Sequence, residues 1–177
     1  ITVTSANAVR IIFALPRDRE IIFVPDRNLG AWVEKETGRR MILHPGCCPV
    51  HQGMGPDDIR ARLRENPGAV VIAHPECPPE VMAKVDISGS TKAMVDYIRD
   101  VEAPSYTLLT ETAMSDNLAV EFPHRNILRL TNLRCKHMNY ITLEDTLEGL
   151  QKLQYKVELA PEVIEKALLP IQRMIAI

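Results

Sequence analysis

The sequence is poor in aromatic residues and contains no long apolar run. Aromatic side chains make up 5% of its 177 residues. No apolar stretch approaches the roughly 20 residues of a membrane-spanning helix, and no secretory or transit segment is visible. Neither sign of charge dominates, because 21 Lys and Arg residues stand against 23 Asp and Glu residues. We therefore expect no membrane partner and, since nucleic-acid binders rely on a basic face, no nucleic-acid partner.

The number and spacing of the cysteines do not fit a disulfide-rich secreted domain. Of the four cysteines, Cys47 and Cys48 are adjacent, and adjacent cysteines rarely bridge to each other. The composition, 46% apolar and 25% charged, is that of an ordinary globular protein. The sequence thus favours a reduced, cytoplasmic chain whose thiolates bind metal. Prolines stand beside histidines and cysteines at His44-Pro45, Cys48-Pro49, His74-Pro75 and Cys77-Pro78.

Strand-like and helix-like segments alternate along the chain. The predicted strands are short, nearly continuous apolar runs at 20–24, 40–44, 69–73, 106–110 and 127–130. The predicted helices cover 6–14, 29–37, 56–65, 91–101, 115–121, 142–153 and 161 to about 175, and Pro170 is expected to end or kink the last of them. Such alternation predicts βαβ units and an α/β fold with short parallel strands.

The order of elements also repeats. One copy runs from Ser5 to Cys48 and a second from Ser90 to Cys135, each with a hydroxyl group at a helix start and a cysteine just after its last strand. Ligand sites in open α/β sheets lie beyond the carboxyl ends of the strands, so matching loops of two such domains could converge on one centre. Two thiolates are too few for an iron–sulfur cluster. A third would come from a copy preceding Ile1, where the chain starts within a strand-like run, and we expect the chain to be a fragment, a processed product or the ordered part of a longer protein.

Two loops carry the candidate chemistry. Cys48 and His51 are three positions apart at a strand end, where they could bind a metal or place a thiolate near a proton carrier. A buried thiol with a structural histidine is the alternative. His74 and Glu76 lie in a loop stiffened by prolines and form a candidate acid/base pair. The alternative there is a surface loop with a solvated glutamate.

Two further features are consistent with ligand binding. Ser5 precedes one predicted helix, and Ser90 and Thr91 precede another, where free N–H groups favour carboxylates and phosphates. Ordinary helix capping is the commoner reason for such residues.

Arg134 precedes Cys135 and Lys136 follows it, a setting that favours the thiolate and hence metal ligation. The alternative is a loop cysteine on a basic surface.

These residues lie in stretches that together resemble the quinolinate synthase family over essentially the whole chain. The resemblance is carried by Thr4-Ser5-Ala6-Asn7-Ala8-Val9, Val24-Pro25-Asp26-Arg27-Asn28-Leu29-Gly30, Gly46-Cys47-Cys48-Pro49-Val50-His51, His74-Pro75-Glu76-Cys77-Pro78, Gly89-Ser90-Thr91, Thr110-Glu111, Met114-Ser115-Asp116-Asn117, Cys135-Lys136-His137-Met138 and Ile141-Thr142-Leu143-Glu144. No single stretch would suffice, but the set is specific.

The resemblance implies three similar three-layer αβα domains around a pseudo-threefold axis, one of them missing from this chain. Residues 1–49 would be the C-terminal part of the second domain, 50–136 the third domain, and 137–177 helices that pack on the absent first domain. One cysteine per domain would hold a 4Fe–4S cluster. By this resemblance Cys48 and Cys135 are two ligands, and the third lies outside the chain.

The resemblance also implies a reaction. The family condenses iminoaspartate with dihydroxyacetone phosphate to quinolinate in NAD biosynthesis, with an open iron of the cluster acting as Lewis acid. His51, His74 and Glu76 would be catalytic, with Glu76 transferring protons. Ser5, Ser90 and Thr91, together with His74 and Glu76, would bind substrate. The implied partners are L-aspartate oxidase or aspartate dehydrogenase as the source of iminoaspartate, the implied location is the cytoplasm, and this chain alone would be inactive.

Two alternatives remain open from the residues. One is a non-catalytic α/β remnant that binds no cluster. The other is a zinc site built from Cys48, His51, Cys135 and a further donor, because zinc accepts nitrogen and sulfur ligands in a tetrahedral set.

Overall fold

The computed structural model describes residues 1–129 and 133–177, and it divides into two units. The larger unit is Thr4–Arg134, and the smaller one combines Ile1–Val3 with Cys135–Ile177. Leu130, the last residue of a predicted strand, and Asn132 lie outside the described residues. The predicted domain boundaries at 49 and 136 stay predictions.

The larger unit begins with a two-stranded parallel sheet. Strands β1 (Ile22–Phe23) and β2 (Ile42–Leu43) pair in register, and helices α1 (Ala8–Ala14) and α2 (Arg27–Thr37) accompany them. Helix α2 lies so close to this sheet that a Cβ atom on Gly30 would stand 2.6 Å from Leu43 Cδ2. Both strands are shorter than the sequence predicted.

A second sheet of four parallel strands forms the centre of the larger unit. It consists of β3 (Val70–Ala73), β4 (Ile87–Ser88), β5 (Tyr106–Leu109) and β6 (Ile127–Arg129), in the order β4-β3-β5-β6. The chain passes from β3 to β4 on one side and then crosses to β5 on the other side of β3. This reversal between β3 and β5 is the topological switch point, at which α/β proteins usually bind ligands.

Helices cover both faces of this sheet. Alternate residues of a strand point to opposite faces, so Val71 and Leu109 contribute to one apolar cluster while Ile72 and Leu108 contribute to the other. The first cluster includes residues of α4 (Pro56–Glu65) and α5 (Pro79–Met82), and the second includes residues of α6 (Thr91–Asp100) and α7 (Thr112–Glu121). A short helix, α3 (Pro49–Gln52), precedes α4. The predicted α/β class with short parallel strands is confirmed.

The smaller unit is helical. It contains a 3₁₀ turn (Met138–Tyr140), α8 (Leu143–Lys152) and α9 (Pro161–Ile175), and the Thr2 N–H donates to the Pro170 carbonyl at 3.3 Å. Helix α9 does not end at Pro170 but continues to Ile175, and good helix formers such as Gln172 and Arg173 follow the proline; the alternative prediction of a kink stays a prediction. Large apolar side chains of this unit, including Leu143 and Leu150, are exposed. Within the described ranges, no helix is both long and apolar enough to cross a membrane.

Truncation of the central strand should destabilise the protein. Ile72 is fully buried, and Ile72→Ala removes side-chain contacts and leaves a cavity, which typically costs about 2–5 kcal/mol. Urea unfolding should show this loss, whereas Val120→Ala, at a position 83% exposed, should change the free energy of unfolding little. Equal effects of the two substitutions would contradict the described core.

Candidate functional site

The loops that follow β3 and β5 meet at the switch point of the sheet. In the register of the two strands Ala73 lies opposite Leu109, so His74 and Thr110 are the first residues beyond neighbouring strand ends. The His74 N–H still donates to the Leu109 carbonyl at 3.2 Å, which fixes the start of the loop. Both residues are buried.

Helix α3 brings a cysteine and a histidine to the same place. Cys48 has extended backbone angles and precedes α3, whose first residue is Pro49, a favoured first helical residue. His51 is buried on this helix, and its Nε2 lies 3.1 Å from Thr110 Oγ1. The short helix therefore carries His51 to the edge of the larger sheet.

The carboxylate of Glu76 contacts the Nδ1 atoms of two stacked imidazole rings. The rings of His51 and His74 are 4.7 Å apart and 20° from parallel. Glu76 Oε2 is 3.0 Å from His51 Nδ1 and 3.7 Å from His74 Nδ1. The Nδ1 atom of His51 is at ion-pair distance but is not aligned for a hydrogen bond, so it is a buried nitrogen without a hydrogen-bond partner among the described residues.

The hydrogen bonds of His74 define its tautomer. The Glu76 N–H donates to His74 Nδ1 at 3.4 Å, which makes Nδ1 an acceptor. The proton therefore belongs on Nε2, which lies 3.2 Å from Ser5 Oγ. Burial, followed by the neighbouring His51, lowers the pKa of His74 to about 4, so this ring is neutral at pH 7.

Glu76 is ionised, whereas Cys48 keeps its proton. The contact with His51 lowers the pKa of Glu76 and outweighs the opposing effect of burial. Burial is the main cause that raises the pKa of the Cys48 thiol. The site therefore combines one carboxylate, one neutral imidazole whose Nε2–H is directed at Ser5 Oγ, and a thiol that a metal would have to deprotonate.

The predicted substrate-binding residues have different surroundings. Ser5 does not cap α1, whose N-cap is Asn7, but lies against His74. Ser90 is buried at the end of β4 and caps α6, because its Oγ accepts from the Ala93 N–H at 3.2 Å. Thr91 is the exposed first residue of that helix. The structure thus brings Ser5 into the histidine–glutamate group and places Ser90 and Thr91 beyond the strand beside β3.

The predicted metal ligands Cys48 and Cys135 belong to different units. Cys135 is half-buried in the smaller unit, so its predicted convergence with Cys48 stays a prediction. Cys77 is buried in an apolar cluster, with its Sγ 3.4 Å from the Leu109 carbonyl. Burial and the Glu76 charge raise the pKa of Cys77 to about 12, so this thiol has a packing role.

Sequence reasoning missed three residues of the site. Asp26 accepts the Cys48 N–H at 2.7 Å, and Asn28 Nδ2 donates to the Glu76 carbonyl at 2.9 Å. Thr110 contacts His51. The available signal was their place in the stretches that carry the family resemblance, at or within a few residues of the ends of predicted strands.

The donor set fits a metal centre. One donor atom each from Cys48, His51 and Glu76 lies within 4.8 Å of the other two. Cys48 is in no disulfide, and His51 Nδ1 contacts Glu76 Oε2 without an aligned hydrogen bond, so both atoms are available as ligands. A thiolate at this position suits an iron–sulfur cluster, and among the described residues of the larger unit Cys48 is the cysteine in this donor group.

Fold and site together define an α/β protein with a thiol, two imidazoles and a carboxylate gathered at the carboxyl ends of parallel strands. A model of the family described as quinolinate synthetase A protein matches residues 1–176, and the chain belongs to this family. It is 42% identical to quinolinate synthase 2 of Mesorhizobium japonicum over 175 residues, which are 98% of this chain and 53% of that protein. It is 36% identical to quinolinate synthase of Desulforudis audaxviator, over 98% of this chain and 58% of that protein. It is 40% identical to quinolinate synthase of Agrobacterium fabrum, over 98% of this chain and 50% of that protein. The chain thus spans about half the length of the curated relatives it matches.

We predict that His74 titrates far below an ordinary histidine. In an NMR titration of the cluster-free protein, its imidazole signals should move near pH 4, because burial and the adjacent ring disfavour the charged form. The assignment should come from the signals lost in His74→Gln. A His74 midpoint near the unperturbed value of about 6.5 would contradict the described environment.

Proposed function

We propose that this chain is part of a quinolinate synthase, which condenses iminoaspartate with dihydroxyacetone phosphate to quinolinate. The observation that carries the proposal is the grouping of Cys48, His51 and Glu76 at the switch point of a chain that belongs to the family. Because the chain spans about half of its relatives, the activity is proposed for the whole protein. The chain alone is expected to be inactive.

Cys48 and Cys135 are the proposed cluster ligands of this chain, with the third cysteine outside it. A 4Fe–4S cluster bound there would supply an open iron as Lewis acid for a substrate oxygen. Cys48 suits this role because its thiol is free and the Asp26 carboxylate fixes its backbone N–H.

Glu76 is the proposed proton-transferring group. Its carboxylate is ionised and about a quarter exposed, so it can accept a proton from a bound substrate. His51 Nδ1 lies 3.0 Å from the Glu76 carboxylate and fixes its position. The Nε2–H of the neutral His74 could donate a hydrogen bond to a substrate oxygen in place of Ser5 Oγ. The two histidines thus orient substrate and carboxylate while Glu76 moves the proton.

Ser5, Ser90 and Thr91 are the proposed anchors for the acidic ends of the substrates. Iminoaspartate carries two carboxylates and dihydroxyacetone phosphate carries a phosphate, and the N-terminus of α6 favours such groups. Ser90 and Thr91 lie at that N-terminus, directly beyond β4. L-aspartate oxidase or aspartate dehydrogenase would supply the iminoaspartate, in the cytoplasm.

Replacement of Cys48 should abolish cluster binding. Cys48→Ala in the full-length protein, purified without oxygen, should lose its iron and its charge-transfer absorption, because one thiolate ligand is removed. The adjacent Cys47→Ala is the matched control and should keep both. Wild-type iron content in Cys48→Ala would refute the ligand assignment.

Replacement of Glu76 should separate cluster binding from turnover. Glu76→Gln keeps the size of the side chain but removes the base, so the iron content should persist while kcat falls about 100-fold or more. Glu80→Gln, at an exposed position in the helix that follows, should leave kcat unchanged. A wild-type rate in Glu76→Gln would exclude its proton-transfer role.

A zinc site is the second candidate, and one specific observation favours it. Cys48, His51 and Glu76 offer sulfur, nitrogen and oxygen donors within 4.8 Å of one another, a set that Zn²⁺ accepts. Metal analysis of the anaerobically purified full-length protein separates the two candidates. Iron with equivalent sulfide supports the cluster, whereas colourless protein with one equivalent of zinc supports the second candidate.

A further inference from the structure

The segment Asp26–Asn28, at the start of α2, contacts both of the loops that build the site. Asp26 is the N-cap of α2, and its Oδ1 accepts the Leu29 N–H at 2.7 Å. Capping needs only this one oxygen. The other oxygen, Oδ2, accepts the Cys48 N–H at 2.7 Å, although Cys48 follows a different strand.

Asn28 makes the corresponding contacts with the second loop. Its Nδ2 donates to the Glu76 carbonyl at 2.9 Å and lies 3.2 Å from Gln52 Oε1 on α3. One turn of chain therefore contacts the cysteine loop, the short helix after it and the glutamate loop.

The burial of these two side chains indicates that the contacts are structurally important. Asp26 is 4% exposed and Asn28 5% exposed. A buried carboxylate is costly unless charge-assisted hydrogen bonds compensate it, and the two backbone N–H groups provide them. The loss of either bond would leave a buried polar group unpaired.

We propose that Asp26 and Asn28 are positioning residues that hold Cys48 and Glu76 in a fixed mutual orientation. Cys48 follows the two-stranded sheet and Glu76 follows the four-stranded sheet, so some element must set one loop against the other. Asp26 sets the backbone that carries the cluster ligand, and Asn28 sets the backbone that carries the proton-transferring carboxylate. This inference rests on the proposed function of Cys48 and Glu76.

The decisive variant is Asp26→Ser in the full-length, anaerobically loaded protein. Serine still caps α2, but its single short hydroxyl cannot also accept the Cys48 N–H. The protein should still fold, with a melting temperature lowered by the unpaired Cys48 N–H, while iron is lost to a chelator about 10-fold faster and the EPR spectrum of the reduced cluster changes. Asp26→Asn, which turns an amide donor toward an N–H group, should show the same changes in iron loss and EPR.

A capping residue remote from the site provides the matched control. Asp58 is exposed and accepts the Gly55 N–H at 3.0 Å at the start of α4. Asp58→Asn should lower the melting temperature slightly and leave iron loss and the EPR spectrum unchanged. If Asp26→Ser also keeps the wild-type iron-loss rate and spectrum, Asp26 is only a helix cap and the inference is overturned.

Asn28→Ala tests the second contact. Without the bond to the Glu76 carbonyl, kcat should fall about 10-fold with iron content and EPR spectrum unchanged. An unchanged kcat would remove Asn28 from the proposal. If Cys48→Ala loses the cluster but Asp26→Ser behaves like wild type, only this inference is overturned. If Cys48→Ala keeps its full iron content, the proposed function on which the inference rests is overturned.

Discussion

The parallel pairing of β3 with β5 is the constraint on which the rest of the site depends. Because the connections from these strands run in opposite directions, their carboxyl ends form the switch point of the sheet, where α/β proteins usually bind ligands. The strand register places His74 and Thr110 beside each other at that switch point. Thr110 then engages His51, which brings α3 and with it Cys48 to the same edge.

The ionisation states of Glu76 and His74 follow from the close packing of these side chains. The contact with His51 lowers the pKa of Glu76 and favours its ionised form, while burial and the adjacent His51 ring lower the pKa of His74 and keep that ring neutral. The neutral ring has one defined tautomer, because its two nitrogens meet a backbone N–H and the Ser5 hydroxyl. At neutral pH a carboxylate that can accept a proton therefore lies beside a neutral ring whose N–H can donate a hydrogen bond to a substrate oxygen.

Local patterns predicted much of the fold, and long-range contacts explain what they missed. Short apolar runs between helical segments were enough for the α/β class, because strands covered on both faces leave that pattern. The loops after predicted strands drew attention to Cys48, His51, His74 and Glu76, which the structure brings close together. The bond from Asp26 to Cys48 spans 22 positions and the contact of Ser5 with His74 spans 69, and no periodicity encodes such pairs. Ser5 was predicted to precede a helix but does not cap α1, whereas Asp26, for which no role was predicted, caps α2.

The central claim is that Cys48 is an iron ligand beside the acid/base group, with Cys135 on the same cluster. A crystal structure of the anaerobically prepared full-length protein, with anomalous data collected at the iron edge, tests it most directly. The account predicts one cluster bonded to the sulfur atoms of both cysteines, with Glu76 facing its open iron. Iron bound elsewhere, or sulfur atoms of Cys48 and Cys135 too far apart to share one cluster, would contradict it.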